Sequence, residues 1–178
     1  MLRWLCFALL LAIATSSQAQ VTKDDTKATL GKLPEVYVLT ALKSGDWDDL
    51  DDLAAEALDE VNDLADERDI KLIKTEVLIF EMFGLKNFRA RIGYLLDPEA
   101  KAKPGRYGKN IELRQLKGSA YVASGVGGAT AAPALRRAVL EELEKPGAKR
   151  LKGVETIELY YGDMDDNDTK VEVYGPLR

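Results

Sequence analysis

The chain of 178 residues contains no histidine. That absence removes Ser-His-Asp and Cys-His catalysis, histidine-based metal sites and a histidine haem ligand. Cysteine occurs once, as Cys6, so no disulfide can form within the chain. Aromatic residues are scarce at 7%, and 25 basic residues are outnumbered by 30 acidic ones, giving a formal charge of −5. A chain of that sign has no electrostatic footprint for a phosphate backbone, so nucleic acid is not expected as a partner. Long apolar runs are missing too: the longest, Trp4–Ala14, falls short of the ~20 residues that span a bilayer. What is present is an ordinary globular mix, 46% apolar and 31% charged. Its chemistry is limited to carboxylates, tyrosines, hydroxyls and shape.

Arg3 precedes the apolar run, and Ser17-Gln18-Ala19 follows with small residues at the −3 and −1 positions. This is the order of a secretory signal cut after Ala19. Residues 1–19 are therefore expected to leave, taking Cys6 with them, and no membrane span is expected afterwards. The expected destination is the bacterial periplasm or the outside. Residues 20–28 are polar and aperiodic, a flexible leader.

From residue 29 a pattern runs twice. Glu35–Leu42 is β-rich between Pro34 and Gly45 and reads as a strand. Trp47, Leu50, Leu53, Ala54, Ala57, Leu58, Val61 and Leu64 recur at spacings that define one face of a helix over 47–67, with Ser44 or Asp46 as its cap. Lys74–Phe83 and Phe88–Leu96 form a hairpin around Gly84. After a linker at 98–110, Ile111–Leu116 and Ala120–Val126 give strand again, bulged at Gly118. Pro133 marks the first turn of a second helix, and Val154–Tyr161 with Lys170–Leu177 close a second hairpin. Offsets of 83, 82 and 81 residues carry the first copy onto the second, from Leu39 on Val122 to Leu78 on Leu159. The expected fold is one α+β domain over 29–178, two-layered, with an antiparallel sheet and two main helices. It is built from strand-helix-strand-strand modules at 29–97 and 111–178, neither large enough to bury a core alone. The seam between the copies is the natural place for a cleft.

This layout resembles the gyrase-inhibitor-like (GyrI-like) effector-binding family. The resemblance rests on Ile111–Gly128, a strand ending in glycine before a helix, on Ile157-Glu158-Leu159-Tyr160, and on Val171–Leu177 with its closing Gly-Pro-Leu. Ala129–Pro133 replaces bulkier residues of that family. The resemblance implies a bulky ligand, cationic or aromatic, held between the modules by a free-standing exported binder rather than a regulator. It also implies alternatives. Some members resemble hydrolases that open reactive compounds with acidic residues, and the SOUL haem-binding proteins are similar in being duplicated, although histidine is missing here. A structural, partner-binding protein is the remaining option.

Glu158 is the leading candidate, since strand alternation puts it on one face with Thr156 and Tyr160. A carboxylate in an apolar cleft resists ionisation and would welcome a cation. Under the offset of 81 its counterpart is Val77. Tyr160, Tyr121 and Trp47 could supply flat walls, and Glu81 a second carboxylate. The glycine loop Ser124–Thr130 lacks the Lys-Ser/Thr of a phosphate loop. Asp163–Asp168 resembles the start of a calcium loop but has Asp168 where glycine is needed and Tyr174 where the closing glutamate belongs. No metal, cofactor or assigned catalytic residue is expected.

Overall fold

The computed structural model describes residues 26–178, so the expected signal and residues 20–25 of the leader lie outside the described residues. Strand β1 (Thr29–Asp46) is much longer than its β-rich centre because it serves two partners. Its Thr29–Ala41 stretch pairs with β5 (Ile111–Val126), and Val38–Asp46 pairs with β3 (Asn87–Leu96). A 3-10 turn at Trp47–Asp49 leads into α1 (Leu50–Glu67), which buries Ala54, Ala57, Val61 and Leu64. The expected cap is not formed: no side-chain cap bond is made by Asp46 or by Asp49. β2 (Leu72–Phe83) and β3 form the first hairpin. The expected linker adds a two-residue strand, β4 (Gly105–Arg106), to β5.

β5 is one continuous strand. The irregularity expected at Gly118 takes the form of a φ of +123° and a one-residue slip of the β1–β5 ladder between Leu33 and Val36. Pro34 falls inside that slip, where a missing N–H costs no ladder bond. Helix α2 (Gly128–Leu143) starts before Pro133, which sits in the second turn rather than the first. The reason is the glycine turn. Gly127 and Gly128 take φ of +135° and +50°, and the N–H groups of Gly127, Gly128 and Ala129 donate to the carbonyls of Thr169 and Met164. The turn therefore caps the helix by itself, and its amides are not free for an anion. β6 (Thr156–Tyr160) and β7 (Lys170–Pro176) complete the chain.

The sheet is antiparallel throughout, in the order β1-β3-β2-β6-β7-β5-β4, with β1 also pairing β5. In each module the last strand lies between the first and second, so β2 of one meets β6 of the other, and β1 meets β5. Pairing thus returns to the strand where it began, leaving no long unpaired edge among these strands. One face carries both helices over a core that includes Leu39, Phe80, Ile92, Leu113 and Val173. The other face packs on itself as a second core of Val38, Val77, Ile79, Leu95, Ile157 and Leu159. This closure explains why β6 is buried at every position. An apolar residue on either face is consistent with such a strand, so its sequence does not reveal which face meets the helices.

The curl brings β3 very close to β1 at Gly93, where an added Cβ would lie 2.0 Å from the Leu39 carbonyl oxygen and 2.8 Å from Thr40 Cα. Gly93→Ala should therefore destabilise the fold by about 1–3 kcal/mol or more. Gly108→Ala, with open space around it, should stay within about 0.5 kcal/mol of the parent. Urea unfolding of the two variants checks this pair.

Candidate functional site

The helix-side floor of the β2–β6 seam is made of three opposed pairs: Phe80 with Thr156, Leu78 with Glu158, and Glu76 with Tyr160. α1 packs over β1 and β3, and α2 over β5, β7 and part of β6, so the helices flank this floor, which is buried except at Glu76. Its two ends differ.

At the Phe80 end the aromatic rings gather. Trp47 stacks on Phe83 at 5.8 Å between centroids with 20° between planes, and lies 5.8 Å from Phe80 and 5.3 Å from Phe88. Its indole N–H donates to the Gly84 carbonyl at 3.0 Å. Arg136 of α2 reaches into this cluster, its guanidinium 4.8 Å from the Phe80 ring centre, 5.1 Å from Phe83 and 6.0 Å from Trp47. Arg136 Nε–H donates to Glu158 Oε1 at 2.7 Å, and the Tyr160 hydroxyl donates to Glu158 Oε2 at 2.8 Å. Glu158 is 0% exposed. Burial works against the charge of Arg136, but Glu158 outweighs it and holds the guanidinium protonated beyond its ordinary range. Burial, reinforced by the Glu158 charge, raises the Tyr160 phenol in turn.

At the Glu76 end the cleft is open. A pocket of about 420 Å³ is lined by Asn62 of α1, Leu72 to Lys74 and Glu76 of β2, Tyr94 of β3, and Gly162 and Asp163 of the β6–β7 loop. Both modules supply its walls. The half-buried Glu76 accepts the Met164 backbone N–H at 3.2 Å through Oε2, and no ion pair engages it among the described residues. Burial raises its pKa, helped by the charges of Asp163 and Asp165, while the Met164 bond opposes the rise. Tyr94 is raised as well, by burial first, with neighbouring Asn62 opposing the rise and the charge of Glu76 adding to it.

The expected site residues fall in three places. Glu158, Tyr160 and Trp47 gather around Arg136 at the closed Phe80 end, Glu158 and Tyr160 buried, and do not line the open pocket. Tyr121 lies on β5 opposite Leu30 and Gly175, half-buried against the helix-side core, and does not line the open pocket. Glu81 faces the other way. It accepts from Arg89 at 3.0 Å and Arg91 at 2.8 Å, and Arg91 stands opposite Ile79 of the second core. Strand alternation puts it there, two residues on from Ile79 and one from Phe80 of the helix face. The counterpart of Glu158 also changes: Val77 belongs to the second core, on the opposite face, so the offset of 81 breaks the strand alternation. A shift of one residue restores it and sets Glu158 against Glu76 or Leu78.

Sequence reasoning missed Arg136, Glu76, Tyr94, Asn62 and Asp163 as cleft residues. A signal existed for two of them. Arg136 falls on the stripe Ala132, Arg136, Val139, Leu143, whose other members are buried. Glu76 alternates with Leu78 and Phe80, which lie on the helix face.

No family model matches the chain, and no curated protein matches it by sequence. Solved structures do. The chain is similar to EcmrR in its DNA complex at 13% identity and a TM-score of 0.61, over 85% of this chain and 57% of that one. It is similar to the isolated EcmrR C-terminal domain at 14% identity and a TM-score of 0.59, over 86% of this chain and 98% of that domain. A hydrolase from Listeria innocua, at 15% identity, 84% and 91% coverage and a TM-score of 0.49, is too loose a match to bear on activity. The chain thus spans little more than half of the full EcmrR chain. At these identities the likeness shows the fold: the GyrI-like fold expected from the sequence is the one the EcmrR C-terminal domain shares.

Removing one member of a buried ion pair strands the other charge and costs about 3–5 kcal/mol, whereas replacing both with apolar groups costs far less. Arg136→Met and Glu158→Leu should each lower stability toward that range. The double variant should be more stable than either single one, as read by urea unfolding.

Proposed function

We propose that the chain is an exported small-molecule-binding protein that holds its ligand in the seam cleft, with a cationic group of the ligand against Glu76 and its flat apolar body along Tyr94, Leu72 and Ile73. The observation that carries this reading is the open pocket at the seam, with a half-buried carboxylate that forms no ion pair among the described residues, not even with Lys74 in the same pocket wall. A volume of about 420 Å³ lies in the range of small-molecule sites. The ligand class follows from charge: a cation entering the pocket would offset the desolvation that raises Glu76 and would gain from Asp163 beside it. Export rests on the leader sequence, and the acidic balance of the chain supports a partner other than nucleic acid.

Hydrolysis by Glu158 is disfavoured by its surroundings. Both carboxylate oxygens already accept hydrogen bonds, from Arg136 and Tyr160, and the group has no exposed surface from which to activate water. Binding without turnover is the reading the cleft supports best.

Benzyltrimethylammonium should raise the melting temperature of the parent, while a neutral aryl alcohol of similar size should have a smaller effect. Glu76→Gln should weaken the cation at least about tenfold, the loss of one charged partner of about 1.4 kcal/mol. Because the pKa of Glu76 is raised, its carboxylate is lost early as pH falls. Cation affinity should therefore decline as pH is lowered through that raised value, and the decline should vanish in Glu76→Gln. Equal binding by parent and variant, or no response to any organic cation, would overturn the assignment.

A further inference from the structure

The aromatic end of the cleft has the parts of a cation site and is filled by the chain itself. We propose that Trp47, Phe80, Phe83 and Glu158 form a guanidinium-binding box, that Arg136 is its tethered occupant, and that this occupancy sets ligand specificity by confining an external ligand to the Glu76 end. The inference rests on the reading of the seam as a ligand cleft and adds which cation the closed end takes.

Three aromatic rings lie 4.8 to 6.0 Å from the guanidinium, and a fully buried carboxylate binds it at 2.7 Å. A planar, weakly hydrated cation suits such a box better than an ammonium does, because it stacks while its edge stays hydrogen-bonded. The floor also keeps an unused acceptor. Thr156, on the same face as Glu158, has a buried hydroxyl with no hydrogen-bond partner among the described residues. The Arg136 guanidinium does not engage it, and a free guanidinium, released from the geometry of a side chain, has donors to spare for it.

Arg136 is not what docks α2. Leu135, Val139 and Leu143 are buried beneath the helix, and Val139 and Leu143 press so close to Gly175 that an added Cβ would meet them at 2.5 and 2.7 Å. The helix is thus seated by its apolar stripe, and the box can be emptied without unseating it. A tethered group acts at an effective concentration in the millimolar range or above, so an outside guanidinium must compete with a partner that never diffuses away. An outside guanidinium is thereby kept from the Phe80 end, and the Glu76 end is left to the ligand.

The test uses the full chain carrying Trp4→Phe, which leaves Trp47 as the one indole. In Arg136→Ala, ethylguanidinium should change Trp47 fluorescence saturably and raise the melting temperature, at concentrations at least about tenfold below any response of the parent. Urea at the same concentrations should do neither, and adding Glu158→Gln to Arg136→Ala should abolish the response. If Arg136→Ala does not fold alone, refolding in ethylguanidinium should restore its circular dichroism. Equal responses in parent and variant, no response in a folded variant, a response that survives Glu158→Gln, or no recovery on refolding would each overturn the proposal. Glu76 is unchanged in all these proteins, so failure here leaves the Glu76 assignment standing. Failure of the benzyltrimethylammonium experiment likewise does not move the Trp47 signal.

Discussion

Strands β2 and β6 must lie side by side, because each module places its third strand inside and leaves its first and second strands as edges. An unpaired edge exposes a row of backbone donors and acceptors, and here each edge is paired with its counterpart from the other module. The β1–β5 pairing closes the sheet, and the β2–β6 pairing makes a seam with a helix on either side. The second core, the burial of both faces of β6 and the cleft above the seam all follow from that arrangement. A single module would have open edges and one helix on half a core.

Two carboxylates lie on the floor of that seam and have opposite fates. Glu158 is completely buried, and burying a lone charge is prohibitive, so the chain supplies its own cation from α2 and a phenol from the same strand. Glu76 keeps contact with water through the pocket and is left with a backbone amide and acidic neighbours. The Glu158 carboxylate is therefore paired within the chain, while the Glu76 carboxylate stays open to a ligand. The division between them is made by one arginine.

The module order, the hairpins, the seam and the apolar stripe of α1 were all legible in the sequence, because periodicity and turn residues act locally. The shared face of Glu158 and Tyr160, toward the helices, was legible as alternation for the same reason. The partner of Glu158 was not sought on α2, since Leu135-Arg136-Arg137 reads as apolar then solvated unless Ala132 and Val139 are counted with Arg136. Glu81 falls on the face opposite Phe80, as alternation from Ile79 requires, and the counterpart of Glu158 was displaced by a one-residue offset, which in a strand reverses the face. Glu76 was hidden because β2 is apolar on both faces, a consequence of closure that appears only when β1 meets β5. The start of α2 was hidden by Pro133, a strong helix-start signal that two glycines and the carbonyls of Thr169 and Met164 override.

The most direct measurement is a crystal structure of the chain with bromobenzyltrimethylammonium, located by the anomalous signal of bromine. The account predicts bromine density between Tyr94, Leu72 and the β6–β7 loop, the ammonium beside Glu76, and Arg136 still bound to Glu158. Bromine density outside the seam, or a cation seated on Glu158 with Arg136 displaced in the unmutated chain, would contradict it.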